Sequence, residues 1–161
     1  MTAYEVGEWS DFFVAAAGAS AALAGLVFVA VSINVEHILR FKGLPERALA
    51  TVLMLIAVVL LTLAALMPGQ STDAVGAEVL GLGLAFGATT LVLMLREPDA
   101  AERPDLSRGL VVALGFVPIV VGGLSLLAES GGGLYWVAAG LMLTIMAAVM
   151  NAWVLLVEVL R

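Results

Sequence analysis

Few side chains in this sequence could do chemistry, and most of them stand beside long apolar runs. Glu78 and Glu129 are carboxylates at the edges of such runs, where each could bind a cation or carry a proton. Glu129 extends a series formed by Gly115, Pro118, Gly122 and Ser125, whose three- and four-residue steps share one face of a helix. Pro118 has no amide to donate and frees the carbonyl of Leu114. The outcome is either a shape-setting bend or a hinge lining a wet cavity below Glu129. Glu78 borders the small-residue series Ala77, Gly81 and Ala85, and its plain alternative role is to point up to interfacial water. Asn151 shares a face with Gly140, Thr144, Ala147 and Glu158. It lies at a depth comparable with Thr51 and Ser32, so the three polar groups could meet in an interhelical hydrogen bond.

The remaining chemistry is excluded by inventory. The chain has no cysteine and one histidine, which removes disulfides, thiolate metal sites and any multi-histidine centre. Ser20, in Gly18-Ala19-Ser20-Ala21, would need a base to become a nucleophile, and no histidine or lysine lies within an apolar run. No apolar run contains an aspartate pair, a lysine for a Schiff base or a histidine to hold a haem, and no Walker loop, HExxH pair or dinucleotide fingerprint occurs. The expectation is therefore a non-enzymatic protein without cofactor or metal. The formal charge of -6 gives no footprint for nucleic acid. Asn34, Glu36 and His37 are expected to end the first long helix and to contact headgroups.

The elements that must position these groups follow from composition. Of 161 residues, 63% are apolar and 12% charged, too few polar groups to coat a water-facing surface. Five runs of about 20 or more residues can cross the roughly 30 Å hydrocarbon layer: 12–35, 48–67, 75–95, 109–128 and 134–157. The fold class is all-α, a polytopic membrane helix bundle of five transmembrane helices in one domain, 1–161. Ser10 or Asp11 can cap the first helix, Pro45 suits the first turn of the second, and Pro68-Gly69 ends it. The 13 residues 96–108 form a mixed-charge loop, either a solvated connection or a dock for a cytoplasmic partner.

Charge sets the expected orientation. Arg40, Lys42, Arg47, Arg96, Arg103, Arg108 and Arg161 all fall in the odd loops and the C-terminal tail, which places the N-terminus outside and the C-terminus in the cytoplasm. The opposite side then carries Glu5, Glu8, Asp11, Asp73, Glu78 and Glu129 with no basic residue. Such a face either concentrates cations or stays soluble on acids alone. Because acids precede the first run, it reads as a retained helix and not as a cleaved signal. Tyr4, Trp9, Tyr135, Trp136 and Trp153 read as interfacial anchors.

Small residues indicate which helices approach closely. Gly18, Ala22 and Gly25 make the first helix narrow, so it is expected at the bundle centre or at a subunit contact. Gly81, Gly83 and Gly87 in the third run, and Gly115, Pro118 and Gly122 in the fourth, are likewise packing candidates. The second run, rich in leucine, valine and isoleucine, is expected to face lipid.

The opening Asp11-Phe12-Phe13-Val14-Ala15-Ala16-Ala17-Gly18-Ala19-Ser20, continuing through Ser32-Ile33-Asn34, resembles uncharacterised small multi-pass membrane proteins of high-GC bacteria. The resemblance covers mainly the first helix and implies no activity. Six arginines against one lysine, with heavy alanine and glycine usage, agree with such a source and with a cytoplasmic (inner) membrane. Two roles stay open. In one, a homo-oligomer or single bundle is a channel or transporter for a cation or small solute along Glu78, Glu129, Ser125 and Gly122. In the other, an accessory or structural protein packs against itself or another membrane subunit. The narrow faces lead us to expect a homo-oligomer within the lipid bilayer.

Overall fold

A computed structural model describes residues 2–95 and 106–159; of 106–108 and 158–159 it describes the backbone only. A 3-10 turn, Val6–Trp9, leads into α1 (Ser10–Ile33) and a one-turn α2 (Val35–Ile38). The long helices α3 (Leu44–Ala65), α4 (Thr72–Leu95), α5 (Leu106–Leu127) and α6 (Gly133–Val159) follow, and no strand occurs among the described residues. Five helices, α1, α3, α4, α5 and α6, are long and apolar enough to cross a membrane. Their boundaries lie within a few residues of those expected. Asn34 breaks the first expected span into α1 and α2, its amide folding back to donate to the carbonyl of Ala30 at 2.8 Å. The acids and bases of 96–105, with Arg108, Glu158 and Arg161, lie outside the described side chains.

Local chemistry accounts for most of the helix ends. Pro45 stands in the first turn of α3 after Gly43, whose φ of 91° suits a residue without a side chain. Ser71 caps α4, its hydroxyl accepting from the amide of Ala74 at 3.3 Å. Neither Ser10 nor Asp11 caps α1: Trp9 occupies the cap position without a side-chain bond, and the Ser10 hydroxyl donates to the carbonyl of Gly7.

Helices α3, α4, α5 and α6 form a ring in which each packs on the next and α6 closes back on α3, while α1 lies outside it, against α3. This takes the first span away from the bundle centre, one of its two expected places, and covers the second, which was expected to face lipid. In its most apolar stretch α3 is 61% buried, the most of any helix, whereas α1 is 11% buried. In a bilayer the protein interior is no more apolar than the lipid, so leucine and valine do not mark an outward face. What centres α3 is one surface, Ala50, Met54, Ala57, Val58, Leu61 and Ala65, running at three- and four-residue steps and fully or almost fully covered. Its two threonines are neutralised locally, Thr51 donating to the carbonyl of Arg47 and Thr62 to that of Val58.

Candidate functional site

Glycine determines how closely the ring helices approach. A Cβ placed on Gly83 would come within 2.9 Å of Ile119, and one on Gly87 within 3.1 Å of Phe116, so this GxxxG pair seats α4 on α5. Gly115 would meet Thr144, Gly122 would meet Val137, and Gly140 would meet Ile119, so α5 and α6 touch nearly backbone to backbone on both sides of Pro118. Despite Pro118, α5 runs unbroken through this contact. Gly76, against Leu126 and Leu127, and Gly123, whose Cβ would fall 2.8 Å from the Leu80 amide, belong to the same seam. Reading α4 through Gly81 and α5 through Gly122 overlooked both. Their signal was the seven-residue step, two helical turns, from Gly83 back to Gly76, and the Gly122-Gly123 doublet.

Four packing candidates lie outside the seams of the ring. Gly81 faces away from the seam, with nothing within 4 Å of its Cβ direction, and the same holds for Gly18 and Gly25. Ala22 is exposed beside them. The buried side of α1 is instead Phe13, Ala16 and Ser20, one step round the helix. Within this chain the Gly18–Gly25 surface touches no other helix, so it is not at the bundle centre.

The polar groups divide between the two ends of the bundle. At one end the N-terminal segment lies across both even loops. The Tyr4 carbonyl accepts from the Thr72 hydroxyl at 3.3 Å, and the Tyr4 hydroxyl accepts from the Gly132 amide at 2.9 Å. The Ala3 carbonyl accepts from the Leu134 amide at 2.9 Å. Trp9 stacks edge-on with Tyr135 at 4.8 Å. A side chain on Gly133 would strike the Ala3 carbonyl at 2.6 Å, so glycine is required where the tail crosses. Tyr4, Trp9 and Tyr135 thus hold this closure together, a contact that aromatic spacing alone did not indicate.

Ser125 and Glu129 do not share the α5 face on which the sequence placed them. The helix stops at Leu127. The Glu129 amide then donates to the Leu126 carbonyl and the Ser130 amide to the Ser125 carbonyl, with Glu129 at φ 46°. This is a Schellman ending with Glu129 in the left-handed position, which turns its exposed carboxylate off the helix. The Ser125 hydroxyl donates to the Ser130 carbonyl and accepts from the Gly133 amide at 2.8 Å, so it pins the α5–α6 turn.

Glu78 is different. Half-buried in the second turn of α4, it accepts through Oε1 from Gln70 Nε2 at 2.8 Å, while its Oε2 is buried without a partner among the described residues. Gln70 Oε1 is likewise buried and unpartnered. The chain's one glutamine, in the Pro68-Gly69 turn, was not singled out from the sequence.

Toward the other end, Asn151 and Thr51 meet. Asn151 Nδ2 lies 2.5 Å from Thr51 Oγ1 and 3.4 Å from the Arg47 carbonyl, joining α6 to α3. Ser32 takes no part, since its exposed hydroxyl donates to the Phe28 carbonyl in its own helix. Nearby in the sequence, His37 stacks on Phe41 at 4.9 Å, and its Nε2 is buried without a partner. Among the described residues no three histidine, aspartate or glutamate side chains gather as a metal site would require.

Of the two stripes offered as a permeation path, Gly122 is covered by Val137 while Gly81 meets no other helix; Glu78 touches the α3–α4 turn and Glu129 points off a helix end. No family model, curated protein or solved structure matches the chain.

Proposed function

We infer that this is a non-enzymatic integral membrane protein of the bacterial inner membrane, N-terminus outside and C-terminus cytoplasmic. Its role is to pack against itself or another membrane subunit. The observation that carries this reading is the contrast between two sets of small residues. Gly76, Gly83, Gly87, Gly115, Gly122, Gly123 and Gly140 are consumed inside the ring, while Gly18, Ala22 and Gly25 lie open along a helix that is 11% buried, as Gly81 does on α4. A narrow surface of that kind lets a second helix approach closely, and in lipid close packing substitutes for a hydrophobic drive. Purified chain in nanodiscs should run as an oligomer, and Gly18→Leu with Gly25→Leu should return it to a monomer without loss of helix content. A parent that is monomeric, and that captures no membrane subunit when isolated from its own membrane, would remove the reading.

A second reading, an oligomeric channel or transporter for a cation or small solute, is favoured by one observation: the buried, unpartnered Oε2 of Glu78. Cation flux into liposomes by the parent, lost in Glu78→Gln, would support it. The absence of flux in the parent would end it.

A further inference from the structure

α1 packs chiefly on α3, and an apolar groove lies between its second half and α6. Leu26, Ala30 and Asn34 of α1, Ile38 of α2, and Ala152 and Leu155 of α6 line it, and Asn34 supplies its one polar side chain. From Leu26 to Asn34 the groove runs about 12 Å at the helical rise of 1.5 Å per residue. That is close to one leaflet's half of the roughly 30 Å hydrocarbon core. At its mouth the chain changes character: Arg40 and Lys42, two and four residues beyond Ile38, are both exposed. His37, adjacent to Ile38, has a screened Nε2 with no acceptor or donor among the described residues. The acids described in this region are Glu36, exposed, and Glu46, half-buried.

We propose that this groove is a binding site for one anionic phospholipid, its acyl chain along Leu26–Asn34 and its phosphate at Arg40, Lys42 and His37. An acyl chain leaving bulk lipid for an apolar groove gains little, since both surroundings are hydrocarbon, so selectivity comes from the headgroup. Juxtamembrane cations each favour an anionic headgroup by about five-fold. Exposed Glu36 offsets part of that, which leaves phosphatidylglycerol preferred over phosphatidylcholine by about five-fold or more. The site rests on the membrane reading of the five helices but on neither role proposed for the whole protein.

Native mass spectrometry of the full chain, released from detergent with equimolar phosphatidylglycerol and phosphatidylcholine, tests it. The parent should retain phosphatidylglycerol preferentially, and the preference should fall with rising salt. Arg40→Gln with Lys42→Gln should bring the two lipids to parity, and Ala152→Phe, which fills the groove, should reduce retention of both. Equal retention by the parent overturns the site, as does a preference that survives the double substitution or retention unaffected by Ala152→Phe. The salt series on the unsubstituted chain decides the matter if a variant fails to fold, a salt-independent preference counting against the site. A chain soluble without detergent overturns the membrane reading itself, whereas a detergent-requiring chain without lipid preference overturns the site alone.

Discussion

Asn151 and Thr51 form a polar contact between two ring helices in otherwise apolar surroundings, and both are almost completely covered. An amide in that setting needs a partner, and Thr51 Oγ1 supplies it while still donating to the Arg47 carbonyl. Asn151→Leu and Thr51→Val should each cost about 1 kcal/mol of resistance to denaturing detergent, within the range for interhelical hydrogen bonds in lipid. The double variant should cost clearly less than the sum, because either change removes the same bond. Full additivity would show that the pair is not coupled. Glu129 makes the opposite kind of prediction. It holds a left-handed conformation that costs an L-residue about 1 kcal/mol or more, and its exposed side chain returns no contact that offsets this. Glu129→Gly should therefore raise thermal stability by about 1 kcal/mol, and a loss instead would mean that its carboxylate is engaged. Asn151 could be identified from helical spacing. Glu129 could not, because nothing in Leu-Leu-Ala-Glu-Ser states that the helix will end two residues before the acid.

At the scale of elements, the number, order and approximate limits of the long helices were legible, since each is an unbroken apolar run between turn residues. Their arrangement was not. Hydropathy separates water from hydrocarbon but does not separate lipid from protein, so α3 was expected to face lipid and is the most covered of the five, packed between α1, α4 and α6. Small residues are the better guide, yet they are ambiguous by one helical step: Gly83 is under Ile119 while Gly81, two residues away, meets nothing. This difference can be measured. Gly122→Ala would force a Cβ to about 2.6 Å from Val137 Cγ2 and 2.8 Å from its amide nitrogen, where backbone cannot yield cheaply. Overpacking of this kind should cost about 1–3 kcal/mol. Gly81→Ala meets open space and gains helix propensity, so it should be neutral or stabilising by up to about 1 kcal/mol. Thermal unfolding of the two variants in one detergent checks the contrast, and equal losses would contradict the helix arrangement.

For the whole molecule the decisive relation is which segments share an end. The hydrogen bonds joining Tyr4 and Ala3 to Thr72, Gly132 and Leu134 gather the N-terminal segment and both even loops at one end, as helices that alternate in direction require. That end carries Glu5, Glu8, Asp11, Asp73, Glu78 and Glu129, whereas Arg40, Lys42 and Arg47 stand at the other. Under the orientation proposed above, the end bearing arginine and lysine is the cytoplasmic one, because basic flanks are retained on that side of a membrane. The absence of native cysteine makes single-cysteine labelling clean. Ser130→Cys should react with a membrane-impermeant thiol reagent in intact cells, and Lys42→Cys only after permeabilisation; both positions are exposed, so reactivity reports sidedness and not burial. The reverse pattern would invert the protein and move the basic mouth of the α1–α6 groove to the outer leaflet. Labelling of both positions in intact cells would instead mean that the five helices do not all cross.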